Sequence, residues 1–469
     1  AKRVQISAET VESGDNLEAI CGEPRDRSRL EFIAKDMDQV ADCRAWLECI
    51  KLDIANLQSA STRYTICKVP SMLRNEKSDA FSPQTVSIGP LHSPKDRPKE
   101  NLKAMQEHKL SYMLSLLERT RNETDALEAC GEATLDLDTK VRRCYEEKVE
   151  HSETELARML LVDGCFILEL FLRYYINDLR PDDPVLLNPR IISVVRRDLA
   201  LLENQIPFIV LEELFRVIQD HSDNALPELN DLAISFFKLD RSRKERKSCH
   251  LLDLIHHCYS PGSARKHTTA KGEWKVMQCA TKLSYYGIKF ARSDIENDPK
   301  KKGIEVGNDG KKDLFDLKFE KGTLKIRQLC VENSLFQNLI AMEQCLHGRE
   351  HYMASYGLLM DFLVDTSKDV EFLVNKGIIP HNFGDYEEVA HLFNNIGKQV
   401  FVRDFYFAGI SEEVDKYCKT SWWLRYVQSL LRDYLANPWM ATSVFAAIIL
   451  LAATSLQTVY SVLSYYHHD

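Results

Sequence analysis

The spacing of apolar residues predicts helices along most of the chain beyond residue 99. Leu102, Met105 and Lys109 begin one amphipathic stripe at helical intervals. Residues 156–176 are apolar on nearly every side, but they include Asp163, and a charge there would cost about 2–3.5 kcal/mol near the centre of a bilayer. We therefore predict that this second segment is the central buried helix of a soluble core.

Residues 198–215 carry three polar residues between two apolar runs, and Pro207 forces a break there. Because buried polar groups need partners, we expect these three side chains to bond backbone groups at the break. A catalytic carboxylate is the alternative, although no base or nucleophile accompanies it. The predicted structural polar network consists of Asp163, Asp198, Glu203, Asn204 and Gln205. Further helices are predicted at 334–346, 353–365, 369–375, 386–397 and 412–435.

The first 60 residues show two patterns. Residues 1–28 have no hydrophobic period and are predicted to be mobile. Residues 29–60 are predicted to form an amphipathic helix, because apolar residues recur at heptad spacing, for example at Ile33, Val40 and Leu47, with one interruption at Asp36. The repeat fits either a short coiled coil with a partner or a helix packed on its own domain.

The next segment, 61–98, is rich in proline, which excludes long helices, and it is predicted to be an extended block with short extended pieces in an ordered loop region. It opens the predicted helical body, which runs from 61 to 435. Within that body, alternating residues on either side of Lys321-Gly322 predict a small β-hairpin near 314–331. The fold class predicted from these patterns is mainly α.

The tail contains no Asp, Glu, Lys or Arg between 439 and 463. A helix of that length reaches across the roughly 30 Å hydrocarbon layer of a bilayer, so residues 436–466 are predicted to be a C-terminal transmembrane anchor. A buried helix of a soluble protein is the alternative. Small and hydroxyl residues fall on one face of the helix and form a candidate pairing face with another membrane helix, namely Ser443, Ala447, Thr454, Thr458 and Ser461.

Charge and cysteine content narrow the classes of function. The net charge of −9 argues against broad nucleic-acid binding, which needs clustered basic residues. The 13 cysteines form no C-x-x-C pair, which favours free thiols in a reducing compartment. Basic residues such as Lys416 and Arg432 precede the tail, so the positive-inside rule predicts a cytosolic body on a plasma membrane or endomembrane.

Two histidine-containing stretches are candidate metal sites. His347, Glu350 and His351 spell H-x-x-E-H, in which two histidines hold zinc and the glutamate acts as a base. Gly348 lies inside this motif, where a helix is expected to end, which favours a chance match. The second stretch is CHLLDLIHHC, with His250 and His257, but no second ligand cluster is evident and a packed amphipathic helix is the favoured interpretation. No catalytic residue, cofactor, metal or small-molecule substrate is predicted.

Several blocks of the sequence resemble the plant family called domain of unknown function 247. They follow the family's order and cover about residues 60 to 466: CKVPSMLRNEKSDAFSPQTVSIGPLH (67–92), MLLVDGCFILEL (159–170), RDLALLENQIPFIVLEELF (197–215), HLLDL (250–254), NLIAMEQC (338–345), the segment 361–369 and the tail from 437. Gln337 departs from a frequent arginine, which marks a diverged member.

The resemblance implies a largely helical protein with a C-terminal membrane segment and no established enzyme activity. Some members of the family are linked to grass self-incompatibility as proposed pollen-side specificity determinants. We therefore expect a membrane-anchored recognition or signalling protein that acts through a protein partner or self-association and is not an enzyme. A metal-dependent hydrolase using either histidine stretch and an oligomeric membrane scaffold are the alternatives.

Overall fold

The structure is a computed structural model, and it divides the chain into two compact units, residues 1–63 and 64–469. The described residues are 46–48, 50–51, 64–76, 78–92, 100–181, 183–240, 247–261, 274–293, 314–329, 331–346, 350–381, 384–420 and 438–466. In the first unit, the described residues are helical and the Trp46 side chain is exposed. Most of the predicted heptad helix, all of residues 1–28 and the segment 294–313 lie outside the described residues.

The second unit is mainly helical, which confirms the predicted fold class. In chain order its helices are α1 (Ser71–Glu76), α2 (Glu100–Leu117), α3 (Glu123–Asp136), α4 (Asp138–Arg142), α5 (Glu153–Ile176), α6 (Pro189–Asp198), α7 (Phe208–His221), α8 (Leu229–Phe236), α9 (Leu251–Tyr259), α10 (Ala280–Tyr285), α11 (Asn333–Cys345), α12 (Tyr352–Leu363), α13 (Ser367–Asn375), α14 (Tyr386–Gln399), α15 (Ala408–Thr420) and α16 (Pro438–Tyr466).

Helix α5 lies at the centre of the first half of this unit and contacts α2, α3, α7 and α8. Its start is fixed by a capping box, in which Ser152 and Glu155 satisfy each other's backbone N–H groups, and it ends at Asn177 in the left-handed conformation. Nearly all side chains from Leu160 to Arg173 are buried. The sequence interpretation of a central buried helix agrees with this arrangement.

A three-stranded sheet accompanies the helices, with strands β1 (Lys289–Arg292), β2 (Lys318–Glu320) and β3 (Thr323–Ile326) in the order β1-β3-β2. The predicted hairpin is present as the antiparallel pair β2–β3. Lys321 and Gly322 both have positive φ, as a two-residue type I′ turn requires. Strand β1 was not predicted, and it pairs with β3 in parallel.

The proline-rich segment has no long helix among its described residues, as the prolines predicted. It contains the six-residue α1 and two 3₁₀ turns, Ser78–Phe81 and Pro90–His92, so short helical turns interrupt the extended block. Proline is tolerated at the start of a helix, and α1 begins directly after Pro70.

The predicted helix at 412–435 is described only in its first part. Helix α15 is described as far as Thr420, and residues 421–437 lie outside the described residues. Within the part of the chain that the structure describes, no helix is long and apolar enough to cross a bilayer. The predicted transmembrane anchor at 436–466 is therefore unsupported by the fold. The element at this position is α16, whose backbone is described throughout and whose side chains at 438–441, 444, 462 and 464–466 lie outside the description.

Candidate functional site

The predicted polar residues at the end of α6 hold the segment 84–88 in place. The Asp198 carboxylate accepts hydrogen bonds from the backbone N–H groups of Gln84, Thr85 and Val86, with Oδ2 at 3.0, 2.7 and 3.0 Å. Asn204 continues the pairing, since its Oδ1 accepts from the Ile88 N–H at 2.7 Å and its Nδ2 donates to the Val86 carbonyl at 3.0 Å. The two side chains thus satisfy backbone groups that a neighbouring strand would otherwise pair.

Glu203 contacts residues on both sides of the segment 84–88. Its Oε1 accepts from the Val69 N–H at 2.8 Å and from the Arg74 guanidinium, and its Oε2 lies 3.3 Å from Nε2 of His92. His92 is buried, and neither of its ring nitrogens makes a well-aligned hydrogen bond with a described residue. Burial acts to raise the pKa of Glu203, but His92, Arg74 and the Val69 N–H outweigh it and hold that pKa at about 2.

Gln205 joins the turn to α9. Its Nε2 donates to the carbonyls of Leu199 and Leu201, each at 2.8 Å, and its Oε1 accepts from the Leu252 N–H at 3.2 Å. Its own carbonyl lies so close to Gly89 that a Cβ there would come within 2.5 Å. We call Asp198, Glu203, Asn204 and Gln205 the polar clamp, because together they fix residues 69–89 against the helical core.

The fifth predicted network residue, Asp163, lies on α5 away from the clamp turn. Its Oδ1 is 2.6 Å from Nζ of Lys109, and its Oδ2 accepts from the Gly89 N–H at 2.8 Å. Lys109 also donates to the Ser87 carbonyl. Both charged side chains are almost completely buried. Gly89 thus touches the clamp through Gln205 and the Asp163 pair through its N–H.

A cavity of about 430 Å³ opens beside this buried ion pair. The wall residues come from α2, from α5, from the loop before α5 and from the segment 87–89. They are Ser87, Gly89, Gln106, Lys109, Leu110, His151, Glu155, Arg158, Met159, Val162 and Asp163. The cavity was not predicted from the sequence. Its one sequence signal was Lys109, a lysine on the apolar stripe of α2.

A second buried ionic group was also missed. Arg173 on α5 donates to Glu169 at 2.8 Å and to Asp183 at 2.8 Å, and Asp183 accepts the Tyr112 hydroxyl at 2.6 Å. Desolvation and the nearby Asp183 carboxylate raise the pKa of Tyr112. The four-residue spacing of Glu169 and Arg173 was a usable signal. Nothing local marked Asp183, which precedes a turn and accepts the N–H groups of the second and third residues after it.

The histidine stretch at 249–258 forms the start and body of α9. His250 caps the helix through its Nδ1, while its Nε2 lies 2.9 Å from the Thr65 carbonyl. His257 lies 3.4 Å from Asp253 on the same helix face. His256 faces away and lies 2.7 Å from Oε1 of Glu343. The histidines are therefore directed to different partners rather than to one ligand position.

The H-x-x-E-H motif falls between two helices, since α11 ends at Cys345 and α12 begins at Tyr352. His347 lies outside the described residues, while Glu350 is exposed and His351 is the N-cap of α12. Among the described residues, no group of three or more His, Cys, Asp or Glu side chains is placed to hold a metal ion. The described cysteines are free thiols.

Helix α16 exposes a continuous set of large apolar side chains. Their exposed fractions lie between 55% and 67% at Phe445, Ile448, Ile449, Leu450, Leu451, Leu456 and Val459. The hydroxyls of Thr454 and Thr458 donate back to carbonyls one turn earlier, those of Leu450 and Thr454, at 2.8 and 2.7 Å. The predicted pairing face thus carries hydroxyls that are satisfied within the helix. Pairing with a second helix stays a prediction.

Comparison with known proteins identifies the family of this chain. Residues 66–453 match the model of the DUF247 family, described as plant protein of unknown function. The chain belongs to this family. The DUF247 match includes the four residues of the polar clamp, the Lys109–Asp163 pair and the first part of α16, and it leaves out the 1–63 unit.

Two Arabidopsis thaliana relatives are similar over nearly the same span. The UPF0481 protein At3g47200 is 27% identical over 434 residues, covering 85% of this chain and 86% of its own length. The putative UPF0481 protein At3g02645 is 21% identical over 483 residues, covering 84% of this chain and 89% of its own length. No solved structure matches this DUF247 chain.

Proposed function

We propose that this DUF247 protein is held at a lipid bilayer by α16 and acts through protein–protein contacts of its helical body, without catalysis. The observation that carries the anchoring is the exposed apolar surface of α16, together with a sequence free of charged residues from 439 to 463. Exposed apolar patches of this extent mark interaction with membranes or with other proteins. None of the described helices is long and apolar enough to cross a bilayer, so insertion is what the experiment has to decide.

The internal hydrogen bonds of α16 fit an apolar environment. A hydroxyl without a partner is costly in hydrocarbon, and the hydroxyls of Thr454, Ser455 and Thr458 each donate to a carbonyl of their own helix. The helix can therefore enter lipid without leaving these groups unpaired.

The buried charges of the body support an interaction role over catalysis. Asp198 and Glu203 are occupied by backbone N–H groups of the segment that they hold, and Glu169 is occupied by two arginines, Arg119 and Arg173. A catalytic carboxylate would instead face a cleft with a free partner. Partner choice is then expected to depend on exposed surface of the body, and a narrower role in self-incompatibility stays a prediction from the family resemblance.

Membrane fractionation of the full chain in plant cells tests the anchoring. We expect the protein to stay in the pellet after carbonate washing, and we expect Leu450→Arg to release most of it, since a central arginine costs about 2.5–3.5 kcal/mol in a membrane helix. Leu114→Arg is the matched control, because Leu114 is an exposed leucine on α2. A protein that washes off in both its native and its substituted form would overturn the anchor.

Partner capture tests the second half of the proposed function. Cross-linking in intact membranes, followed by detergent extraction and mass measurement, should yield a defined protein partner or a self-associated species. Protease treatment of sealed vesicles in the same preparation reports which side carries the body, which we expect to be cytosolic. A chain that remains a lone monomer under cross-linking would contradict action through protein contacts.

A further inference from the structure

The cavity between α2 and α5 has the dimensions of a small-molecule site. Its volume of about 430 Å³ falls within the roughly 300–1,000 Å³ typical of ligand pockets. Its floor is the buried Lys109–Asp163 pair, and its walls include Leu110, Met159 and Val162. A charged floor beneath apolar walls is the composition expected of a site that orients a polar head group beside an apolar body.

The ammonium of Lys109 on the floor has one hydrogen-bond donor left for a ligand. An ammonium group has three N–H donors, and Lys109 uses two of them, on Asp163 and on the Ser87 carbonyl. Both oxygens of Asp163 are already engaged, by Lys109 and by the Gly89 N–H. The remaining N–H of Lys109 has no acceptor among the described residues.

The mouth of the cavity adds further donors. The side chains of Gln106, His151 and Arg158 line it and make no hydrogen bond or ion pair with a described residue. Glu155, the acidic residue at the mouth, is engaged by Ser152 in the capping box of α5. Arg158 is exposed at the cavity mouth and has no carboxylate partner among the described residues, and guanidinium groups favour carboxylate and phosphate.

We propose that this cavity binds a small organic anion, a carboxylate or a phosphate monoester, whose charged group meets Arg158 and the floor ammonium of Lys109 while its apolar part lies against Leu110 and Val162. The site goes beyond the proposed anchoring function and does not depend on it. Burying an ion pair is costly, and a ligand that accepts the remaining N–H of Lys109 would offset part of that cost.

Calorimetric titration of the purified full chain with three probes tests this site. The probes are 3-phenylpropanoate, phenyl phosphate and the uncharged 3-phenylpropanamide. We expect at least one of the two anions to bind at least about tenfold more tightly than the amide, because a charge-assisted hydrogen bond is roughly twice as strong as a neutral one. The stronger of the two anions identifies the head group. Absence of binding by both anions, or equal binding of the amide, would overturn the site.

Two substitutions locate the binding. Arg158→Ala should weaken the preferred anion about tenfold, whereas Arg190→Ala, at an exposed and unpaired arginine on α6, should leave its affinity unchanged. Leu110→Trp should block the cavity while keeping every charge, and Leu110 is exposed enough to accept the larger ring without unfolding the core. Anion binding that survives both Arg158→Ala and Leu110→Trp lies elsewhere and contradicts the assignment.

Discussion

The carboxylate of Glu343 on α11 contacts Nε2 of His256 on α9 and accepts hydrogen bonds from two backbone N–H groups in the first turn of α12. Its Oε1 lies 2.7 Å from the imidazole and 3.0 Å from the Met353 N–H, and its Oε2 lies 2.8 Å from the Ala354 N–H. The carboxylate is fully buried. One side chain thus joins three helices and supplies the negative charge that a helix N-terminus favours.

Replacing Glu343 with alanine should therefore lower the free energy of unfolding by about 2–4 kcal/mol, since it leaves buried donors on two helices without an acceptor. Urea unfolding followed by circular dichroism measures the loss. Glu387→Ala is the matched control, because Glu387 is exposed in the first turn of α14, and it should change stability by less than about 0.5 kcal/mol. Equal effects of the two substitutions would contradict the capping role.

Glu203 should make stability depend on acid pH. Its pKa is about 2 in the folded protein and has an ordinary value of 4.5, so the carboxylate stabilises the fold fully above pH 4.5 and loses this effect as the pH falls toward 2. Glu203→Gln should cost about 3 kcal/mol at pH 7, and the gap between the variant and the native protein should close near pH 2. Urea unfolding across this range measures the gap, with exposed Glu388→Gln as the control. A gap that does not change with pH would argue against the ionised carboxylate as the source.

Asp361 should give the opposite dependence. Burial raises the pKa of this carboxyl from 3.8 to about 6 in the folded protein, so stability falls as the pH rises through that interval. The Asp361 carboxyl is packed against the backbone of Gly397, where an added Cβ would lie 2.1 Å from the Asp361 Cγ. Asp361→Asn should stabilise the protein by about 1 kcal/mol above pH 6, after allowance for solvent screening, and by little below pH 4.

Thermal unfolding at pH 4 and pH 7.5 is a sufficient measurement for Asp361. Asp385→Asn, at an exposed position before α14, provides the control and should give the same small shift at both pH values. A destabilised Asp361→Asn variant at pH 7.5 would show that the charged form is favoured, contrary to the expected sign.

Replacing two helical glycines with alanine should change the stability of the protein in opposite directions. A Cβ at Gly164 on α5 would lie 2.4 Å from Leu214 Cδ1 on α7, whereas a Cβ at Gly131 on α3 would meet nothing within 4 Å. We expect Gly164→Ala to destabilise the protein by about 1–3 kcal/mol through overpacking. We expect Gly131→Ala to stabilise it by about 0.5–1 kcal/mol, because alanine loses less backbone entropy. A second substitution, Leu214→Val, should recover part of the Gly164→Ala loss if overpacking is the cause.

Sequence reasoning worked where the determinants of structure are local. The start of α5 was predicted to within a few residues from the run of apolar residues alone, since the predicted helix begins at 156 and α5 begins at Glu153. The hairpin turn followed from Lys321-Gly322 and the alternation on either side. The break at Pro207 was likewise visible in the sequence, since α7 begins at the next residue.

Non-local pairing was beyond the sequence. The four residues of β1 show no strong alternation, and their partner Thr323–Ile326 comes later in the chain after the hairpin turn. The polar trio at 203–205 indicated bonds to backbone groups, but not that many partners would come from residues 69–88, more than a hundred positions away. The cavity depends on how α2 and α5 pack, so Lys109 could be marked as unusual without revealing the space beside it.

The parallel pairing of β1 with β3 bears on where extra residues can be inserted into this chain. The N–H of Ser293, directly after β1, donates to the Ile326 carbonyl at 3.0 Å, and Leu314 is buried, so the described chain is held in place at both of these positions. Closing a loop twice as long costs only about 0.6 kcal/mol more. The junction between 293 and 314 is therefore a position where an inserted tag or reporter should leave folding almost unchanged.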